Sequence, residues 1–250
     1  MFKRIVFGGA LCAAAMVASA SWADGFYVSG SLGALSRPDG TATAAEPTDP
    51  FGNTVTVAGV KTPYLVQQHF QYSTGFTADA AGGYRFDLGP SLGAVRTELD
   101  VRYGQYSDTH LSQQSLPGQV YGTTLSSHST GISGAQNTGG DFTANAFYDF
   151  PKWAGVSPYV GVGVGYHVGT GGSGSAQRDY TIVSGSNTQT GSNTVAIQGG
   201  HTDQGVYLVE VGLSVPLSHN LSLVPAYRYS QLFNGQVPLH AFKVGLRYSF

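Results

Sequence analysis

The chain has 250 residues, of which 10% are charged and 36 are glycine, and its formal net charge is −2. An ordinary soluble domain has about 25% charged residues and about 7% glycine, so this composition is unusual. The hydrophobic fraction of 41% excludes a disordered chain, which would combine low hydrophobicity with high charge. Because the sequence has no block of basic residues, nucleic acid is not expected as a partner.

The start of the chain has the anatomy of a secretory signal peptide. A short basic beginning precedes an apolar run over residues 5–18, and the small residues Ser21 and Ala23 then stand at the −3 and −1 positions of a cleavage site. The apolar run is too short to cross about 30 Å of hydrocarbon as a helix. We therefore expect a signal peptide over residues 1–23 and a single β-barrel domain over residues 24–250.

The rest of the chain contains eight segments in which apolar and polar side chains alternate. In the third segment, Leu99 and Val101 alternate with Glu98, Asp100 and Arg102. Strict alternation predicts a strand with two unlike faces. The eight predicted strands cover residues 25–35, 71–86, 92–106, 141–150, 158–168, 204–215, 221–229 and 239–250.

The connections between these strands alternate in length. Short turns are predicted at residues 87–91, 151–157 and 216–220. Polar segments of about thirty residues are predicted at 36–70, 107–140 and 169–203. Short periplasmic turns and longer extracellular loops are typical of outer-membrane barrels. The sequence thus predicts an all-β fold, an eight-stranded antiparallel transmembrane β-barrel with three long extracellular loops, surrounded by the lipid of the cell outer membrane.

Charged side chains are concentrated on one face of the predicted strands. Arg or Lys at the bilayer midplane costs about 2–4 kcal/mol, so this face is expected to point into the barrel lumen. Eight strands enclose an interior that side chains can just fill. We therefore expect a packed ionic plug, with a narrow gated pore as the alternative. The predicted lumenal charge network consists of Asp79, Arg85, Arg96, Glu98, Asp100, Arg102, Asp141, Glu210, Arg228, Lys243 and Arg247.

The opposite face carries aromatic side chains near both ends of the strands and mostly Ala, Val, Leu and Gly between them. This layering is typical of a lipid-facing surface with an aromatic girdle at each interface. A soluble barrel of lipocalin type would show the same periodicity with the two faces reversed. The layered aromatic residues and the acid–base pairs on a single face count against that alternative.

Several segments together resemble the eight-stranded outer-membrane barrels of Gram-negative bacteria, the OmpA/OmpX and opacity-type surface antigens. The segments that carry the resemblance are Gly83–Phe86, Arg96–Asp100, Asn145–Asp149, Pro158–Gly163, Tyr227–Tyr229 and Val244–Phe250. In this family, a last strand with Leu246, Tyr248 and a terminal Phe250 resembles the signal that the barrel-assembly machinery reads. The resemblance therefore implies that this machinery is a partner.

No catalytic, cofactor or metal site is predicted, and we expect a protein that is not an enzyme. The seven histidines are scattered without metal-ligand spacing; four of them lie on or beside the predicted long connections and could in principle converge on a metal, but solvated loop histidines are the favoured interpretation. The single cysteine, Cys12, lies in the predicted signal peptide. The glycine runs Gly161–Gly165 and Gly169–Gly174 lack the Lys-Ser/Thr pair and the helix of a phosphate loop, so lumenal glycines are interpreted as space for bulky neighbours.

The favoured function is a structural and surface-interaction role, adhesin-like or antigen-like, in which polar loops contact an extracellular surface ligand. Candidate anchors in these loops are Phe51, Tyr64, Tyr121 and Tyr180. A narrow pore for small solutes is the alternative. A lipid-modifying outer-membrane enzyme is less favoured, because no compact Ser–His arrangement is visible in the sequence.

Overall fold

The computed structural model describes residues 25–46, 56–57, 60–61, 64–115, 123–133, 136–184, 186–197, 199–233 and 238–250. The predicted signal peptide and the candidate anchors Phe51 and Tyr121 lie outside these residues. Within the described ranges, no helix has the length and apolar character needed to cross a membrane.

The described residues form strands joined by turns. In chain order, the strands are β1 (Phe26–Ser36), β2 (Gly40–Glu46), β3 (Thr56–Val57), β4 (Val60–Lys61), β5 (Tyr64–Tyr72), β6 (Gly75–Gly89), β7 (Gly93–Ser115), β8 (Thr123–Ser133), β9 (Gln136–Asp149), β10 (Ser157–Thr170), β11 (Gly174–Ser184), β12 (Asn187–Ile197), β13 (His201–Pro216), β14 (Leu221–Leu232) and β15 (Leu239–Ser249).

Eight of these strands close into a barrel. Its order is β1, β6, β7, β9, β10, β13, β14 and β15, with every neighbouring pair antiparallel. The ring closes where β15 pairs with β1, for example Val28 opposite Tyr248. Closure leaves no barrel strand with an unpaired edge, which is the condition for a sheet that spans a bilayer. The predicted all-β fold with an eight-stranded antiparallel barrel is confirmed.

The barrel strands coincide with the predicted ones, with changes at their ends. β7 continues to Ser115, past its predicted end at residue 106, and β9 begins at Gln136, before its predicted start at residue 141. The second predicted strand began at residue 71, whereas β6 begins at Gly75. Tyr72 instead ends β5, which pairs with β7 beyond the barrel. Residues 73–74 separate the two strands, and periodicity alone did not reveal this break.

The described parts of the long connections contain a second sheet. β7 pairs with its barrel neighbour β9 as far as Ser107 and then continues to Ser115 between β5 and β8. β2 pairs with β5, and β8 pairs with β11, which pairs with β12. We call β2, β5, β8, β11, β12 and residues 108–115 of β7 the extramural sheet. Candidate anchors Tyr64 and Tyr180 lie in its strands β5 and β11.

Burial alternates along each barrel strand and separates an inner from an outer surface. On β9, Asp141, Thr143 and Asn145 are buried, whereas Phe142 is exposed on the outside. The outward set includes many large apolar side chains, with Leu99 among the most exposed. The charged face therefore points into the lumen, and the aliphatic and aromatic face points away from it. This arrangement is the reverse of that in a lipocalin-type barrel.

Candidate functional site

The lumen brings the predicted charge network together. With one exception, the side chains of the predicted residues are buried inside the barrel. The exception is Arg85, whose side chain is 40% exposed at the short-turn end. Its Nη2 lies 2.9 Å from Asp87 Oδ1 and its Nε lies 3.6 Å from Asp149 Oδ2. Arg85 is therefore a residue of the barrel rim that reaches the network only through Asp149.

Arg228 on β14 is the centre of the network. Its Nη2 lies 2.5 Å from Asp100 Oδ2, its Nε lies 2.6 Å from Glu210 Oε2, and its Nη1 lies 3.5 Å from Asp79 Oδ2. Lys243 Nζ lies 2.7 Å from the same Asp79 oxygen and 2.9 Å from the same Glu210 oxygen. These five side chains come from β6, β7, β13, β14 and β15. The cluster therefore crosses the lumen and joins strands on different sides of the barrel.

A second cluster lies toward the short-turn end and combines charges with aromatic rings. Arg96 Nε donates to both carboxylate oxygens of Asp149 at 2.9 Å. Tyr27 OH donates to Glu98 Oε2 at 3.0 Å and accepts from Arg96 Nη1 at 3.2 Å. The Arg96 guanidinium also lies 4.4 Å from the ring centroid of Phe147. Arg96 is fully buried, and its charge is compensated by the carboxylates together with the ring faces.

Arg247 departs from the expected pairing of charges. In the described part of the chain, no carboxylate lies within 4.0 Å of its guanidinium. The guanidinium lies 5.3 Å from the ring centroid of Tyr27 and 5.8 Å from that of Tyr159. Tyr159 in turn donates its hydroxyl hydrogen to Glu210 Oε1 at 2.9 Å. Arg247 is therefore held by cation–π contacts with tyrosines that are themselves bound to the network.

A third cluster lies toward the long-connection end. Arg102 forms an ion pair with Asp141, and its Nη1 and Nη2 each lie 3.2 Å from Ser230 Oγ. His167 Nδ1 lies 2.5 Å from the other oxygen of Asp141, and its side chain is 14% exposed. His167 lies within the fifth predicted strand, and β10 turns its side chain into the lumen, where it joins a charge network from which the prediction had left it out.

The three clusters leave little space inside the barrel. A void of about 30 Å³ separates the central cluster from the short-turn cluster. Above the third cluster, the lumen widens into a recess of about 170 Å³, lined by residues that include Arg37, Tyr106 and Thr202. We call this space the mouth recess, because it lies where the barrel strands reach the long connections. The lumen is thus filled through its middle and open at one end.

Glycines on the lumenal face of β10 provide the space for two bulky neighbours. A Cβ atom at Gly161 would collide with the Phe147 ring, and one at Gly163 would collide with the Asn145 side chain. The interpretation of these glycines as space for side chains in a narrow barrel is therefore confirmed.

Sequence reasoning missed part of the network. Tyr27, Phe147 and Tyr159 are buried in the lumen at 2–3% exposure, although aromatic residues were assigned to the outer face. Asp149 and Ser230 were also left out of the predicted network. The two-residue period of a strand could have identified these residues, because Phe147 and Asp149 are separated from the buried Asn145 by an even number of positions on β9 and so share its face. Parity identifies the lumenal residues correctly even where residue type suggests the lipid.

The predicted assembly segment forms the end of β15 and the residue after it. Leu246 and Tyr248 are exposed on the outer face. The ring of Phe250 lies 5.2 Å from that of Tyr248, and its backbone N–H donates to the Phe26 carbonyl at 3.0 Å. The last residue is therefore bound at the seam between β1 and β15.

The fold is similar to those of solved outer-membrane proteins. Neisserial surface protein A is 17% identical, with a TM-score of 0.39, over 90% of this chain and 97% of that chain. OprG from Pseudomonas aeruginosa is 11% identical, with a TM-score of 0.47, over 91% of this chain and 96% of that chain. Ail from Yersinia pestis is 13% identical, with a TM-score of 0.34, over 91% of this chain and 100% of that chain.

No curated protein sequence matches the chain. Residues 88–250, more than half of the chain, match the family described as Opacity family porin protein. The matched region contains the whole of β7, β9, β10, β13, β14 and β15, six of the eight barrel strands. With its closed barrel and charged lumen, the chain belongs to this family of Gram-negative outer-membrane β-barrel proteins.

Proposed function

We propose that the protein is a surface scaffold, in which a filled barrel holds the extramural sheet outside the outer membrane for contact with an extracellular ligand. The observation that carries the proposal is the Arg228 cluster, which joins five strands across the middle of the lumen. A barrel filled in this way supports a structural and adhesin-like or antigen-like role better than it supports a narrow pore.

The energetics of the cluster support a closed lumen. The neighbouring void of about 30 Å³ has room for about one water molecule. A solute could pass only if Arg228 or Lys243 moved away from its carboxylates. Breaking a buried ion pair costs about 3–5 kcal/mol because a bare charge remains. The closed state is therefore expected to dominate at equilibrium.

Single-channel recording in planar bilayers tests this proposal against the pore alternative. We expect the wild-type protein to show no steady conductance, and the double variant Arg228→Ala/Asp100→Ala to conduct, because it removes the central pair. The matched control is Lys152→Gln, which removes an exposed cation in a short turn. A steady wild-type conductance that the double variant changes would instead support a narrow pore for small solutes.

The proposal requires the extramural sheet to lie outside the cell. Gln189 is exposed on β12, and His219 is exposed in the turn between β13 and β14, at the opposite end of the barrel. In intact cells, a membrane-impermeant maleimide should label a Gln189→Cys variant but not a His219→Cys variant. Both variants should react after the outer membrane is opened. Labelling of only His219→Cys in intact cells would reverse the orientation.

We further propose that the last strand is read by the barrel-assembly machinery. Leu246 and Tyr248 present an apolar outer face, and Phe250 is bound at the seam between β1 and β15. Replacing Phe250 with Asp should lower the amount of folded protein in the outer membrane without changing synthesis or export. Quantitative immunoblotting of membrane fractions measures the amount of folded protein. The control is Phe233→Asp, at an exposed aromatic residue that directly follows β14. Unchanged levels of the Phe250 variant would remove this assignment.

A non-enzymatic role is better supported than lipid modification. An acyl-transfer or hydrolytic site needs a nucleophile beside a histidine base that a third group orients. Among the described histidines, His167 and His69 lie beside a carboxylate, and neither is on the lipid-facing surface, because His167 lies inside the lumen and His69 lies on β5 beyond the barrel. The described residues also contain no group of three His, Cys, Asp or Glu side chains arranged to hold a metal ion.

A further inference from the structure

The mouth recess differs from the rest of the lumen in its charge. Its described lining contains Arg37, Arg102 and His167 but neither Asp nor Glu. Deeper in the barrel, cations such as Arg228 and Lys243 each lie within 3.5 Å of at least two carboxylates. The recess is therefore a cationic space above a network whose charges are mostly paired.

Arg37 is the cation in this recess without an anionic partner. It follows β1 directly, its guanidinium lies 4.4 Å from the ring centroid of Tyr72, and its Nη1 donates to Tyr106 OH at 2.6 Å. In the described ranges, no carboxylate lies within 4.0 Å of Arg37, and its buried Nε has no hydrogen-bond acceptor. The two tyrosines fix the position of the guanidinium, and among the described residues no carboxylate neutralises its charge.

The floor of the recess adds a second guanidinium to the lining. Arg102 forms an ion pair with Asp141, which also contacts His167. Asp141 itself lies behind them and is not part of the lining. Low-dielectric walls focus the field of such an arrangement into the cavity. The remaining lining offers hydroxyl and amide groups from Asn137, Thr138, Thr170, Thr202, Ser230 and Gln231.

We propose that the mouth recess binds a small oxyanion, a solute with one carboxylate or phosphate group, and that Arg37 is its principal cationic contact. A guanidinium binds such groups through two parallel hydrogen bonds. The volume of about 170 Å³ is enough to hold inorganic phosphate or a short carboxylate. The site lies in the barrel mouth and is independent of any ligand of the extramural sheet.

Isothermal titration calorimetry on the folded full chain in a non-ionic, phosphate-free detergent tests the proposal. Inorganic phosphate and acetate should each bind saturably at one site, and uncharged glycerol should not bind. Arg37→Gln should weaken the binding of phosphate about tenfold or more, because a charge-assisted contact is lost. Lys152→Gln makes the same change in net charge on an exposed turn and should leave the binding unchanged.

A second variant distinguishes a cavity from general electrostatic attraction. Thr202→Phe keeps every cation but fills the recess, so it should abolish phosphate binding. If this variant fails to fold, the side-chain Nε–Hε resonance of Arg37 in the wild-type protein, assigned by its loss in Arg37→Gln, should shift on addition of phosphate. The proposal is overturned by the absence of saturable binding, by unchanged affinity in Arg37→Gln, by retained affinity in folded Thr202→Phe, or by an unshifted resonance.

Discussion

Neighbouring residues on β7 have opposite environments. Leu99 is 71% exposed on the outer surface of the barrel, whereas Asp100 is 3% exposed in the lumen. In soluble proteins, leucine is among the residues most often buried and aspartate is almost never fully buried without a partner. The reversal is favourable here because hydrocarbon surrounds the outer face, and because Arg228 compensates the charge of Asp100. The two faces should therefore respond differently to changes in charge.

The lumenal face should be sensitive to the loss of a charge and the outer face to the gain of one. Inside, each charged side chain has been removed from water, so a partner left alone retains the cost of desolvation. Outside, an apolar side chain contacts lipid, and a new charge has no partner there. Substitutions on the two faces, compared with substitutions at solvent-exposed positions, test this contrast.

The largest effect is expected for Arg228→Met. The substitution leaves Asp100, Glu210 and Asp79 without their shared cation, and Lys243 reaches only Glu210 and Asp79. Unfolding in urea from lipid vesicles should show a loss of about 3–5 kcal/mol. Lys152→Gln should change stability by less than about 0.5 kcal/mol. Equal urea midpoints for the two variants would contradict the role of the Arg228 cluster.

Leu99→Arg should have the next largest effect, a loss of about 2–4 kcal/mol in the free energy of unfolding. Leu99 lies near the middle of the part of β7 that belongs to the barrel, where the bilayer midplane is expected. The same substitution at Phe150, which is also exposed but lies at the short-turn end, should cost only about 0–1 kcal/mol. The same unfolding experiment measures both losses. Similar losses at the two positions would show that depth in the membrane does not determine the cost.

The barrel itself was predictable because its two faces meet different surroundings. Side chains that alternate between lipid and a charged lumen must differ in type, and this difference is visible in residues such as Leu99 and Asp100. The extramural sheet was not predictable in this way. Strands such as β12 are rich in Thr, Asn and Ser at both parities, so they show no alternation, although Thr and Val favour strands.

The candidate site was predictable in its charges but not in its connections. Periodicity placed Arg96, Glu98 and Arg247 on one face, yet their pairing depends on barrel register and on residues distant in sequence. Tyr27, for example, contacts Glu98 from 71 positions away. The mouth recess could not be predicted, because it depends on the position of Arg37 after the end of β1 and on its contacts with Tyr72 and Tyr106.

Smaller losses of stability are expected when the hydroxyl group of either of two lumenal tyrosines is removed. The difference between the two losses tests whether a buried carboxylate that has other donors depends less on its tyrosine. Tyr27 donates the single hydrogen bond that Glu98 receives among the described residues, since Arg96 Nη1 lies 3.8 Å away. Tyr159 donates to Glu210, which also receives hydrogen from a guanidinium at 2.6 Å and lies 2.9 Å from an ammonium.

Tyr27→Phe should therefore destabilise the barrel by about 1.5–3 kcal/mol, because a buried carboxylate loses its donor, whereas Tyr159→Phe should cost only about 0.5–1.5 kcal/mol. Both substitutions keep the ring that packs against Arg247, so they isolate the hydroxyl group. Urea midpoints measured in the same vesicles provide the comparison. A larger loss for Tyr159→Phe would mean that the ion pairs of Glu210 do not compensate for a missing hydroxyl donor, and that the network depends on its tyrosines as much as on its charges.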